Sequence, residues 1–209
     1  MVDERTAKLL SLMGISQWSR VFPPARPTVS EWALLAHKVR GCVHCVLSEC
    51  RESTVFGAGS ETAVWFFVGA APKIDEERSR EPLVGRAGQL FNGMLAALDL
   101  SRDQVFMTNI VKCRPPDDRD LDPGEVAACL PHLLEQITCV QPRVVVALGQ
   151  VAAQGLLRTA KSMNELRGQL WYCQDIPVIV TYDPDYLLVH PCEKAEAWID
   201  LKRARALLS

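Results

Sequence analysis

The sequence predicts an α/β fold: three α/β/α layers around a mainly parallel central sheet. Three observations predict it. Four apolar runs, "AVWFFVGA" (63–70), "QVFMTNI" (104–110), "RVVVALG" (143–149) and "IPVIVTYDPDYLL" (176–188), lack the polar alternation of a strand with one wet face. Segments with helical apolar spacing stand between them. At 209 residues the chain can bury one large core and does not demand two. Ligands of such sheets collect beyond the carboxyl ends of the strands, here "GAAP", "TNIVKC", "GQ" and "TYDP".

From the N-terminus, residues 5–20 suit a short amphipathic helix interrupted at Gly14, with Ser16 able to cap a further turn. The next stretch, "VFPPARPTV" (21–29), cannot continue it. Pro23, Pro24 and Pro27 lack N–H donors and restrict the residues before them, which makes a semi-rigid spacer. The organisation read from this is an N-terminal peptide over 1–20, a linker over 21–29 and a folded domain over 30–209. A helix begins at about Ser30. Further helices are expected over "GQLFNGMLAALDL" (88–100), Glu125–Ile137, from "VAAQGLLRTA" (151–160) and over 193–208.

Apolar residues make up 48% and charged residues 23%, which argues against overall disorder. Formal net charge is −2, so nothing in the total predicts avid gripping of a phosphate backbone. No run of 18 apolar residues exists, and "MVDERTAKLL" lacks a signal-peptide layout, so a cytoplasmic protein is expected.

Eight cysteines are many for such a chain. A reducing compartment disfavours disulfides, and metal ligation is the next account to test. Cys42 and Cys45 form C-x2-C, Cys113 follows a strand exit, and Cys129 lies within a helix. Four thiolates can hold a 4Fe-4S cluster or a tetrahedral zinc; the other reading is inert core thiols. Cys50, Cys139, Cys173 and Cys192 read as small buried hydrophobes, and His44 as exposed.

The pieces "CVHC", "TVFGAG", "FVGAAP", "EPLVGRAGQLFNGMLAALDL", "VFMTNIVKCRPPDDRDLDPGEVAACLPHLLEQI", "QPRVVVALGQVAAQGLL" and "TYDPDYLL" resemble the iron–sulfur, type-4 uracil-DNA glycosylases over roughly residues 38–207. The resemblance implies a uracil-DNA glycosylase-like fold, and Cys42, Cys45, Cys113 and Cys129 as ligands of a structural 4Fe-4S cluster, with zinc as the alternative. It also implies departures from an active site. Where that family reads Gly-Glu-Ala/Gly-Pro-Gly, this chain has "GAAPK", with Ala70 for the glutamate and Lys73 for the last glycine. The family's base-stacking phenylalanine falls on Leu83, and its late histidine falls on Asp183, a carboxylate that would oppose a developing anion. Only Asn109, the edge-reading position, matches. Asp75, Glu76 and Glu77 could substitute, but read as a solvated charged loop, and His190 as a surface residue; Gly85 and Gly88 serve the turn into the helix. The expectation is a vestigial pocket of Ala70, Lys73, Leu83, Asn109 and Asp183, with no catalytic residues.

"LLSLMGISQWS" ahead of arginine and prolines resembles the clamp-loader-binding peptide of the DNA polymerase III psi subunits, and "PLVGRAGQLFNGMLAALDLSRDQV" (82–105) resembles a second psi segment. By that resemblance Leu12, Ile15, Gln17, Trp18 and Ser19 would contact the collar of the clamp-loader ATPase subunits (gamma/tau). The body would bind the chi subunit and, through it, single-strand binding protein. Apolar anchors with a tryptophan suit a partner groove; the other reading is Trp18 packed on its own domain. The expectation is thus a non-catalytic replisome bridge. The alternatives are an iron–sulfur glycosylase releasing uracil from DNA, or a non-catalytic single-strand or damaged-DNA binder.

Overall fold

A computed structural model describes residues 29–208. The peptide and linker expectations, including Leu12, Ile15, Gln17, Trp18 and Ser19, lie outside the described residues.

The strands are β1 (Ala58–Gly59), β2 (Trp65–Gly69), β3 (Val105–Asn109), β4 (Val144–Leu148), β5 (Trp171–Cys173) and β6 (Ile176–Thr181). The helices are α1 (Val29–Arg40), α2 (Leu47–Cys50), α3 (Ile74–Ser79), α4 (Gly85–Ala97), α5 (Pro123–Val140), α6 (Gln150–Leu157), α7 (Met163–Leu166), α8 (Pro184–Val189) and α9 (Lys194–Ala206). One six-stranded sheet runs in the order β1-β3-β2-β4-β6-β5. Its four inner strands are parallel, and the short edges β1 and β5 pair antiparallel.

The three layers follow from strand alternation, which sends successive side chains to opposite faces. Phe66 and Val68 of β2 join Phe106, Val145, Leu133 and Ile137 on the face covered by α5 and α6. Trp65 and Phe67 join Met107, Val146, Phe91, Leu95 and Leu201 on the face covered by α4 and α9. Both faces are dry, so the inner strands carry continuous apolar runs.

Helix ends obey local chemistry. Asp122 accepts the Gly124 N–H at 2.7 Å while Glu125 reaches back to the Asp122 N–H at 2.9 Å, which starts α5 two residues before the sequence reading does. The expected fourth strand stops at Thr181, because Asp183 and Pro184 begin α8 where a loop was expected. Helix α1 is pinned to the body by Trp32, edge-on to Phe56 at 5.0 Å and to Phe106 at 5.3 Å. Among the described residues no helix is long and apolar enough to cross a membrane.

Trp32→Ala removes this pin and leaves a partly filled gap beside β3. It should lower unfolding stability by about 3 kcal/mol, a fall of roughly 6–12 °C in melting midpoint, read by calorimetry; an unchanged midpoint would show that α1 docks by other contacts.

Candidate active site and metal chamber

The inner strands all end on one rim. At the end of β2, Gly69 lies in register with Asn109, the last residue of β3. A Cβ on Gly69 would sit 2.3 Å from the Asn109 Oδ1, so only glycine lets this buried amide lie across the strand end. The Asn109 Nδ2 donates to the Glu76 Oε2 at 3.3 Å. Glu76 stands in the first turn of α3, where it also accepts the Lys73 N–H at 3.1 Å and the Leu83 N–H. Burial pushes its carboxyl above the ordinary range, against the pull of these three donors.

This corrects the reading of 75–77 as a solvated loop. Glu76 and Glu77 are buried at 9% and 4% exposure, and only Asp75 faces solvent. Glu77 is a brace, accepting the Glu52 N–H at 2.8 Å and the Ser53 N–H at 3.3 Å. Glu76 is the candidate site residue that sequence reasoning weighed and set aside. Its signal was its place three residues after Lys73, where a glutamate can fold back on the helix start.

Leu83 packs in the core cluster with Phe67, Phe91 and Leu95. Its φ of 56° is unusual for a bulky residue. Arg102 holds the segment by donating to the Pro82 carbonyl at 2.8 Å and the Leu83 carbonyl at 3.0 Å, and by pairing with Glu81 at 2.8 Å. Gly88 makes room, since a Cβ there would lie 2.1 Å from the Leu83 carbonyl oxygen.

Across the rim, Asp183 caps α8 by accepting the Asp185 N–H at 2.8 Å. Although the residue is partly exposed, its carboxyl is enclosed. Burial, reinforced by the Asp185 charge, pushes it up to about 6. Lys73 reaches over to Asp185 at 2.6 Å, joining the loop after β2 to α8. Burial works against the Lys73 charge, but Asp185 outweighs it and holds the ammonium above its ordinary range. The Asp183 charge in turn raises Glu76. Lys73, Asn109 and Asp183 are therefore gathered with Glu76. Ala70 sits partly exposed at the β2 exit and adds only its carbonyl, which accepts the Val111 N–H at 3.0 Å.

Behind the β3 exit, Cys42, Cys45, Cys113 and Cys129 line a small enclosed chamber of about 10 Å³ with His44, His132, Arg51 and Lys112. Arg51 donates to the Cys113 Sγ at 3.1 Å, and the Lys112 N–H donates to the Cys129 Sγ at 3.3 Å. Burial pushes the Cys129 thiol up to about 11 despite the nearby lysine. The donor atoms lying within 4.8 Å of one another belong to Cys42, His44 and His132. The His132 Nε2 is 3.4 Å from the Cys42 Sγ, and the His132 Nδ1 is buried without a hydrogen-bond partner among the described residues. A Cys/His/His set at that spacing suits one small zinc-like ion, whereas a 4Fe-4S cluster takes four thiolates. The expectation of a 4Fe-4S cluster is thus corrected. His132 was missed, though its place three residues after Cys129 on one helix face was a readable sign. His44, read as simply exposed, stacks on the His132 ring at 5.9 Å.

The Uracil DNA glycosylase superfamily model matches residues 56–202. A type-4 uracil-DNA glycosylase of Archaeoglobus fulgidus is 34% identical over 81% of this chain and 89% of its own length. That of Saccharolobus solfataricus is 35% identical over 84% and 86%, and that of Thermotoga maritima 34% identical over 84% and 93%. Similarity of this breadth overturns the reading as a clamp-loader psi subunit. With it go the expected gamma/tau, chi and single-strand binding protein partners, and the expectation of a non-catalytic adaptor drawn from Ala70, Leu83 and Asp183. The chain belongs to the type-4 uracil-DNA glycosylase family of the uracil DNA glycosylase superfamily.

Proposed function

We propose that the chain hydrolyses the N-glycosidic bond of uracil in DNA. The observation that carries this reading is the buried Asn109–Glu76 pair at the exits of β2 and β3, where a flipped base would enter. Type-4 uracil-DNA glycosylases are the chain's relatives across most of its length, which supports the same chemistry.

In this reading the Asn109 amide reads the pyrimidine edge, and Glu76 fixes which way that amide faces. The bond between uracil N1 and the sugar C1′ breaks with its electron pair passing to N1, leaving an anionic base. Water adds to C1′ and gives up a proton, and the base takes one. Glu76 and Asp183 supply the carboxyl groups near the reacting atoms, in place of the glutamate that Ala70 lacks. An ionised Asp183 repels the departing anion, whereas a protonated one can donate a hydrogen bond to it. Lys73, through Asp185, keeps α8 and hence Asp183 at the rim. Leu83 walls the pocket with an aliphatic side chain instead of a stacking ring.

We propose further that Cys42, His44 and His132 hold a zinc-type ion, with Cys45, Cys113 and Cys129 as the remaining thiols from which a fourth ligand is drawn. When bound, such an ion cross-links the segment after α1 to α5; it takes no part in bond cleavage.

Four outcomes are expected. In a uracil-release assay on labelled oligonucleotides, Asn109→Ala should slow release by about 10²-fold or more, and a wild-type chain that releases no uracil would refute the reading. Release should fall as pH rises through about 6, the point at which Asp183 ionises; Asp183→Asn should flatten that profile and raise the rate above pH 7. The same titration acts on folding. A carboxyl raised in the folded state contributes stability below its unfolded value near 3.8, lost as pH climbs through about 6. Between pH 4 and 7, Asp183→Asn should therefore gain roughly 1–2 kcal/mol on the wild type in denaturant melts. Finally, elemental analysis of purified protein should give about one zinc per chain, reduced in His132→Ala. Iron with acid-labile sulfide and a broad visible absorption would overturn the zinc assignment.

A further inference from the structure

Lys112 is 1% exposed and forms no ion pair with a carboxylate among the described residues. Its Nζ donates to three neutral acceptors: the Thr108 Oγ1 at 2.5 Å, the Asn109 carbonyl at 2.6 Å and the Gln136 Oε1 at 2.6 Å. Two of these partners continue to a common point. The Thr108 hydroxyl donates to the Phe56 carbonyl at 2.9 Å, and the Gln136 Nε2 donates to the same oxygen at 2.8 Å. A closed ring of hydrogen bonds thus joins β3, α5 and the segment leading into β1.

A core lysine without a carboxylate is costly, and such groups persist where their hydrogen bonds are complete. The ammonium uses all three of its protons. One of them fixes the main chain of Asn109, whose side chain meets Glu76. Of the rim groups, Lys112 hydrogen-bonds Asn109 and not Glu76, Lys73 or Asp183.

We propose that Lys112 is the positioning residue for base recognition: its ammonium clasps the Asn109 carbonyl and so fixes the strand end from which the Asn109 amide, its face set by Glu76, selects uracil over cytosine. Uracil offers O4 as acceptor and N3–H as donor, while cytosine reverses both. An amide whose backbone rocks meets those groups out of line whichever face Glu76 gives it, so discrimination also depends on how firmly that backbone is held. This rests on the glycosylase reading for its choice of base.

The test compares full-length wild type, Lys112→Met and Lys112→Arg on single-stranded oligonucleotides carrying one uracil or one cytosine. Affinity is read at fixed salt, and single-turnover release at saturating enzyme. The wild type should prefer the uracil strand. Lys112→Met should reduce that preference at least tenfold, with cytosine-strand affinity within twofold of wild type and metal content unchanged. On the uracil strand its half-saturating enzyme concentration should rise by the same factor as the lost preference, and its maximal release rate should fall. Lys112→Arg, which keeps the charge and donors, should restore part of the preference. A folded Lys112→Met with undiminished preference overturns the proposal, as does a parallel loss of affinity for both strands. Should Lys112→Met fail to fold, Gln136→Leu removes one acceptor and is read identically, a smaller loss of preference being expected and no loss overturning the clasp. A wild type that prefers uracil but releases none refutes hydrolysis and leaves the clasp standing; one with no uracil preference overturns the clasp as well.

Discussion

The rim of the sheet depends on one close approach: the Asn109 side chain lying across Gly69. A buried amide must find partners, and the strand end itself has none to offer. Glu76 answers that demand but is itself a buried carboxyl needing donors. Those donors are main-chain N–H groups of Lys73 and Leu83. Bringing the Leu83 N–H to Glu76 goes with a left-handed conformation that a leucine resists by roughly 1–2 kcal/mol. Arg102, Gly88 and the surrounding apolar cluster offset this strain. The chain of requirement runs outward from one side chain to a loop and a helix start. That is why this segment is braced more heavily than its surface position alone would need.

Charge at the rim is unbalanced in an informative way. Glu76, Asp183 and Asp185 face Lys73, whose ammonium is committed to Asp185. Glu76 is stabilised by donors on three sides and works as a fixed reference for Asn109. Asp183 has the support of the Asp185 and Tyr186 N–H groups at the start of α8, but burial outweighs them and pushes its carboxyl up to about 6. In the proposed reaction two differently solvated carboxyl groups would divide the labour of orienting and of proton exchange. An aspartate at this place is thus not simply a lost histidine, because its enclosure changes what it can donate.

The inner strands were legible because parallel strands covered on both faces have no reason to alternate, and 65–69, 105–109 and 144–148 do not. The edges β1 and β5, two and three residues long, left no period to detect. Helix α3 was hidden by its own composition. The run "IDEERS" reads as solvated, yet helix geometry turns Glu76 and Glu77 inward while Asp75 and Arg78 face out. The replacements at Ala70, Leu83 and Asp183 were read position by position, which cannot show that a carboxyl six residues away fills the same rim. The N-terminal dozen residues drew attention to a partner peptide, although the folded body carries the weight of the similarity. Cys42 was visible through its spacing, whereas the pairing of His44 with His132 required the fold to bring residues 88 positions apart together.

Strand β3 and the turn beyond it link these parts. Within six residues, Thr108 and Asn109 end the strand, Lys112 turns back beneath it, and Cys113 enters the chamber wall. The Lys112 carbonyl accepts the Val55 N–H at 2.8 Å, and Arg51 reaches Cys113 from the same stretch, so the segment 51–55 straps this turn from outside. Glu77 ties that strap to α3 through the N–H groups of Glu52 and Ser53. The neighbours of Glu76 and the wall of the metal chamber therefore share one set of braces. A closely packed interior has few independent ways to move. A shift of the chamber's Cys113 side must displace the strap, the strap must move α3, and α3 carries the carboxyl that aims Asn109. An ion held by Cys42, His44 and His132 would stiffen the far wall of this loop of contacts, acting on the Asn109 amide through geometry alone.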